Sequence, residues 1–295
     1  MLVNISGKEF SFTDQIRDVP DLRQSFFELA RQVFGLDFEP WYQEGYWNED
    51  YRPFVLAYGE RVVSCVAVND IRTRINGTDK RFIQLGTVMT HPDCRGQGLA
   101  RFLMERVLEE TADADGVYLF ANDSVLDFYP KFGFRPEGEA QCRTVVSPRK
   151  GCVRKLDMDS PTDREILLSH YLQKNNPYSS FPMLGNTGLL MFYCANFWKE
   201  NVYLLEDFDT AAIAFPEGEQ FTCCELFGDG KVPLTELLGI LAGHFSLDKA
   251  ALGFPPMEKL PLFPYKEEDS TLFVLEGKEN PCQMGDMLFP FLSHA

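Results

Sequence analysis

Residues 84–100 read QLGTVMTHPDCRGQGLA. An apolar run, Arg81–Met89, has the composition of a β-strand and ends at the His91-Pro92 turn. Two glycines follow, and LARFLMERVLEE over Leu99–Glu110 then repeats apolar residues at helical spacing. The stretch therefore predicts a strand, a glycine-containing turn and a helix in immediate succession. A helix N-terminus presents unpaired N–H groups and a partial positive charge, and glycines before it let an anion approach the backbone. Arg95-Gly96-Gln97-Gly98-Leu99-Ala100 is thus a candidate phosphate cradle. Spacing alone leaves this level with an ordinary turn, because no Lys-Ser/Thr pair follows the glycines and the G-x-G-x-x-G spacing is missing.

Working outward, Phe54–Tyr58 and Arg61–Val68 predict a hairpin across Gly59-Glu60, and Asn76-Gly77 is a tight-turn signal leading into Arg81–Met89. On the other side, Gly116–Phe120 predicts a short buried strand. LFANDSVLDFYPKFGF, residues 119–134, then runs from that strand through an Asn and a short helix to a Tyr before Gly-Phe.

These two segments, in this order, resemble the GNAT acetyltransferase superfamily. Its acetyl-CoA signature, Gln/Arg-x-x-Gly-x-Gly/Ala after a strand, corresponds to Arg95–Ala100, and its Asn…Tyr…Gly-Phe segment corresponds to 119–134. The resemblance covers about residues 10–147. It implies an α/β fold, a mixed twisted sheet flanked by helices, in which two adjacent parallel strands splay apart to admit the pantetheine arm of acetyl-CoA. Carried onto this chain, it implies that the backbone of Val88 and Met89 pairs with pantetheine amides. It further implies that Arg95, Gly96, Gln97, Gly98, Leu99, Ala100 and Arg101 hold the pyrophosphate, and that Asn122 contacts the cofactor from the second strand. Tyr129 corresponds to the general acid. A phenol with pKa near 10 can protonate a departing thiolate while remaining protonated at neutral pH. Pro130 disfavours helical geometry at Tyr129, so the short helix should end or kink there.

The expected activity is N-acetyl transfer from acetyl-CoA to a primary amine of a small molecule or peptide, by direct attack in a ternary complex. The rival expectation is a non-catalytic acyl-CoA-binding sensor or scaffold. A general base is not legible: Glu44, Glu49 and Asp70 are candidates, each read first as a solvated surface acid, and His91 reads as a residue of its turn that packs or faces solvent. Trp41, Tyr42, Tyr46 and Trp47 alternate with Glu39, Glu44, Glu49 and Asp50. They read either as an aromatic, acidic lid for a cationic amine or as a hydrophobic patch that packs against the second domain.

Composition narrows the partners. The 295 residues carry 28 Lys and Arg against 44 Asp and Glu, a net charge of −16, which argues against nucleic acid. The imbalance is unequal: residues 1–150 carry −5 and 151–295 carry −11, so the first half is the less repulsive place for an anionic cofactor. The longest apolar run, Gly188–Trp198, is short of the ~20 residues that span a bilayer. With no basic segment and apolar core at the N-terminus, a cytoplasmic protein off the membrane is expected. Eight cysteines without C-x-x-C and four scattered histidines predict reduced thiols and no metal site. A homodimer is left open.

The second half repeats the first as helix, helix, three strands, helix, strand, but FGDGKVPLTELL lacks the Arg-x-x-Gly-x-Ala spacing and no Asn…Tyr…Gly-Phe segment follows Ala250–Phe254. The expected division is a GNAT domain at 1–148 and a second α+β domain at 149–295. That second domain is read either as a degenerate GNAT-like unit that supports the first domain or walls the acceptor pocket, or as an unrelated fold.

Overall fold

The computed structural model describes residues 1–284 and 287–294. The chain opens with a hairpin, β1 (Leu2–Ile5) and β2 (Lys8–Thr13), followed by α1 (Pro20–Phe34) and α2 (Glu39–Gln43). Three long strands come next, β3 (Tyr51–Tyr58), β4 (Arg61–Ile75) and β5 (Thr78–Thr90), then α3 (Leu99–Glu110), β6 (Gly116–Ala121), β7 (Phe134–Pro136) and β8 (Glu139–Val145). The second half runs β9 (Val153–Lys155), α4 (Pro161–Gln173), α5 (Thr187–Phe192), β10 (Val202–Leu205), β11 (Thr210–Glu217), β12 (Gln220–Phe227), α6 (Leu234–Phe245), β13 (Lys249–Leu252), β14 (Leu262–Tyr265) and β15 (Thr271–Leu275). Both long amphipathic helices flanking the strand crossovers, α3 and α6, fall where the apolar spacing places them. The apolar run Gly188–Trp198 is helical, α5 continued by a wider π-turn over Tyr193–Phe197.

Two mixed sheets result, in the orders β1-β2-β3-β4-β5-β6-β15-β7 and β14-β8-β13-β12-β11-β10-β9. Each contains one parallel pair, β5–β6 and β12–β13, and each parallel pair is joined by a helical crossover. Aligned on these pairs, β2, β3, β4, β5, β6, β15 and β7 correspond one for one to β9, β10, β11, β12, β13, β8 and β14, with the same parallel or antiparallel sense at every step. The second half therefore repeats the topology of the first, and the reading of it as an unrelated fold falls.

The correspondence exposes an exchange. β8 does not close the first sheet, although it follows that sheet's strands in the chain; it pairs with β13 and β14 in the second. Its place beside β6 is taken by β15, from near the C-terminus. A cut at 148/149 separates the two helical openings of the chain but not the two sheets. Prolines are dense over 255–264, a composition that predicts a loop, yet β14 begins there at Leu262, because its edge position tolerates Pro264. The halves also share a core: Ile71, Phe82 and Tyr118 pack in one cluster with Leu167, Tyr171, Phe181 and Leu190.

In the second sheet the parallel pair covers three residues, Phe221 to Cys223 against Ala250 to Leu252, and the turn at Phe291–Ser293 bonds to the chain where it ends. Gly253 N–H donates to Cys223 O at 2.8 Å, and Phe291 N–H donates to Gly253 O at 2.8 Å. The turn before α6 is likewise covered, with Gly228 N–H on Asn175 O at 3.2 Å and Tyr178 Oη–H on Val232 O at 2.7 Å. Cys223 and Cys224 are buried packing residues there, and all eight cysteines are free.

Because neither sheet is complete without a strand from the other half, unfolding should be one transition. Far-UV circular dichroism and calorimetry should give coincident thermal midpoints. A chain ending at Lys150 should fail to fold as a monomer, with tryptophan emission shifted to that of exposed indole.

Candidate functional site

β5 and β6 pair over only four residues, Phe82 to Leu85 against Gly116 to Leu119. Beyond Leu85 the strands part and leave a cavity of about 400 Å³ lined by Leu85, Gly86, Thr87 and Val88 of β5, Phe120 of β6, Asn122, Val125 and Tyr129. Across it stand Phe34, Leu36, Phe38 and Trp41 from the α1–α2 region, Tyr51 and Asn69 from β3 and β4, and Leu189 and Phe192 from α5. The second half thus supplies part of the wall.

The edge of β5 is irregular where it opens. Cys65 pairs with Met89 and Ala67 with Gly86, so β5 carries one more residue than β4 between these positions, the signature of a β-bulge. Thr87 takes φ 44°, an uncommon conformation for a β-branched residue. Tyr51 Oη lies 2.8 Å from Thr87 Oγ1 and holds it there. Past the bulge, His91 N–H donates to Val63 O at 2.8 Å. By the alternation of an antiparallel ladder, Met89 has the same inward parity as His91, whereas Val88 and Thr90 turn to the open edge. The expectation that Val88 faces the gap fits this parity. The matching expectation for Met89 does not, because its backbone belongs to the β4 ladder, its carbonyl also accepts Ser64 Oγ–H at 3.1 Å, and its side chain is buried.

At the end of β5 the chain makes a tight turn over Pro92–Cys94 and enters α3 through Gly96 and Gly98, at φ 73° and 85°. Both conformations favour glycine, and space lies open where a Cβ would be at Gly96. No side chain caps α3; Phe102 N–H is the first to reach back, to Gly98 O at 3.0 Å. The N–H groups of Leu99, Ala100 and Arg101 precede it and point out of the helix end. Leu99 itself is buried, so only its backbone is available. Arg95 Nε–H donates to Thr90 O at 3.2 Å, and Arg101 pairs loosely with Glu105 at 3.8 Å. Gln97 is held by the first hairpin: Ser6 Oγ–H donates to its carbonyl and Lys8 Nζ to its Oε1, each at 3.1 Å. Lys8, beside this turn yet some ninety residues away in sequence, has no local signal that would have marked it.

Asn122 stands at the cavity mouth with both ends of its amide engaged. Its Oδ1 accepts Ser124 N–H at 3.0 Å, and its Nδ2 donates to Asp269. It therefore caps the turn that leads to Tyr129. Tyr129 is 5% exposed, packed against Phe128, Phe134 and Phe273, and burial pushes its phenol up to about 12. Phe273 lies on β15, and Thr271 Oγ–H and Lys266 Nζ both donate to Asp123, so the exchanged strand and its approach hold the tyrosine's segment in place. Tyr129 begins its own short 3₁₀ turn with Pro130 second, so the expected helix over 124–131 is two tight turns instead.

The acids read as base candidates are elsewhere. Glu44 pairs with Arg164 at 2.6 Å, Glu49 with Arg17 at 2.7 Å and Asp70 with Arg81 at 2.6 Å, and none lines the cavity. Asp50 pairs with Arg72 and Glu39 accepts from Gln43. His91 is buried between Asp93 N and the Arg61 guanidinium. Of the aromatic stretch, Trp41 reaches the cavity, while its Nε1–H donates to Gly188 O at 2.8 Å and its ring stacks on Trp47. The stretch is packing against the second half rather than an acidic lid. Among the described residues no cluster of His, Cys, Asp or Glu could hold a metal ion, and no helix is long and apolar enough to cross a membrane.

Residues 19–136 match the family model for the acetyltransferase (GNAT) domain. The chain is 31% identical over 87 residues to an uncharacterized N-acetyltransferase, ycf52, of Porphyra purpurea, covering 27% of this chain. It spans about half the length of that curated relative. Among solved structures, a probable N-acyltransferase of Enterococcus faecalis is similar at 14% identity and TM-score 0.59, over 90% of this chain and 71% of the other. Eis1 of Mycobacterium abscessus is similar at 13% identity and TM-score 0.55, over 89% and 72%. These likenesses extend the shared fold over both halves.

Two substitutions test the site's supports. Gly188→Ala would place a Cβ 2.6 Å from Tyr46 O and should cost about 1–3 kcal/mol in a urea titration. Tyr51→Phe removes the bond that pins Thr87 and should cost about 1 kcal/mol, with amide exchange accelerated at 87–89.

Proposed function

With a GNAT acetyltransferase domain at residues 19–136 as the premise, we propose that the chain transfers an acetyl group from acetyl-CoA to an amine by direct attack in a ternary complex. The observation that carries this reading is the conjunction at one splayed strand pair of a bulged open edge on β5, an uncapped glycine-flanked helix end after it, and a buried protonated phenol across the gap.

Each element answers one chemical need. The N–H groups from Gly96 to Arg101, with the dipole of α3 behind them, bind the pyrophosphate; Arg95 and Lys8 add positive charge beside that turn. The open edge of β5 accepts the pantetheine arm as an added strand, and the Val88 N–H, on that edge, donates to the thioester carbonyl. Acetyl-CoA supplies an acyl carbon open to attack and a sulfur that departs as thiolate. Tyr129 holds a proton on Oη until that sulfur takes it. Its raised pKa has a definite sign: the protonated form persists until pH approaches about 12, so the acid is present throughout the range where amines are neutral. Asn122 caps the turn before Tyr129 and so orients the acid. The second sheet, where the turn at Phe291–Ser293 bonds to Gly253 at the end of the parallel pair, binds no cofactor and serves as a wall and a strand donor.

The rival, a binding module without turnover, has no use for a phenol in this position. Tyr129→Phe separates the two. It should leave the Kd for acetyl-CoA within about twofold by calorimetry and lower kcat by about 10²–10³. Wild-type kcat should show no alkaline fall up to pH 10. An unchanged kcat in the variant would refute the role given to Tyr129.

A further inference from the structure

Resting on the acetyltransferase reading, we infer that the acceptor is a single amino group on a flat, apolar body, entering uncharged, and not a polycationic amine. The overall charge of −16 invites the opposite expectation, but the acids of the α1–α2 segment are paired with Arg164, Arg17 and Arg72 away from the cavity. The acceptor side of the cavity is built from Phe34, Leu36, Phe38, Trp41, Leu189 and Phe192. Among the described residues that line the cavity, none is Asp, Glu, Lys, Arg or His.

The shape of this wall is specific. Phe38 and Phe192 lie nearly parallel, with centroids 5.4 Å apart at 20°, and Trp41 meets Phe192 edge-on at 78°. Trp41 is locked by its bond to Gly188 O, so the corner between the two halves is rigid and presents apolar surface. Burying an ammonium there without a counter-charge is strongly unfavourable. An aromatic face can offset one such charge, but a polyamine or an aminoglycoside carries several. The attacking nitrogen must also bear a free lone pair, and an amine that is already neutral in water brings no proton to remove. The polar groups that remain in reach, Asn69, Thr87 and Asn122, are already hydrogen-bonded to Gln84, Tyr51 and Ser124. They can orient one small polar group and cannot neutralise a charge.

The test measures thiol release from acetyl-CoA at pH 8 with 4-ethylaniline and 2-phenylethylamine against spermidine and kanamycin, beside calorimetric binding of acetyl-CoA alone. The expected kcat/KM is at least 100-fold higher for the better of the aromatic amines than for either polycation. Phe192→Ser should raise the KM for that aromatic amine about tenfold with the acetyl-CoA Kd unchanged. Phe192→Leu, which keeps the wall apolar and guards against a simple folding defect, should stay within about threefold. Acetyl-CoA binding with faster turnover of a polycation, or with no turnover of either aromatic amine, overturns the inference and leaves cofactor binding standing. A KM unmoved by Phe192→Ser also overturns it. No binding of acetyl-CoA overturns the acetyltransferase reading and this inference together.

Discussion

The parallel pairing of β5 with β6 lasts four residues and then stops. Everything that makes the first sheet a site follows from that interruption. A continuous parallel pair would satisfy its own backbone and leave no edge for a ligand. Once the strands part, the N–H and C=O groups of β5 on that side lack a partner within the sheet, and the bulge at Thr87 re-aims them. The gap is stable because both flanks are braced. On one side Tyr51 pins the bulge; on the other, β15 backs β6 and packs Phe273 against Tyr129. The second sheet carries the same topology with a parallel pair that is shorter still, but there Phe291 N–H bonds to Gly253 O where the pair ends, so a neighbouring turn takes the place that the first sheet leaves open.

The division of labour between the halves follows from those contacts. α5 reaches across to the α1–α2 aromatics, so the cavity is a product of both halves although the helix end, the bulge and the phenol all lie in the first. Residues whose substitution would alter the cavity are therefore spread over more than 150 positions, from Phe34 to Phe192.

Much of this was legible in the sequence, for identifiable reasons. The strand–turn–helix at 84–110 and the 119–134 segment are local patterns, and local patterns are set by hydrophobic period and by glycines at left-handed positions. α3 and α6 lie at their expected residues because their apolar faces repeat at helical spacing. Four features were not legible. The fate of β8 depends on which sheet a strand joins, and a strand at 139–145 reads the same in either. β14 hid among prolines that only an edge position accommodates. The acids at 39–50 kept a charged lid open beside a packing patch because charge is visible in a sequence, whereas the arginines that divert it, Arg164 above all, are distant. The direction of the Met89 backbone was out of reach at the finest scale: a bulge shifts backbone parity by one residue, and composition carries no trace of that shift.

The exchanged strands also set a schedule for biosynthesis. When residues 1–150 have left the ribosome, β6 has no neighbour on its outer side, and the strand it needs, Thr271–Leu275, is still about 120 residues from being made. At about 5–20 residues per second, that wait lasts on the order of ten seconds or more. During it β8, already synthesised, lies next in line for the vacant edge that β15 is destined to fill. The nascent first half must therefore remain open, or pair its own strand and later release it. Long-range pairing of this kind slows folding. The same arrangement makes the two halves inseparable in descent: a gene fragment encoding either one alone would deliver a sheet with its closing strand left in the other fragment.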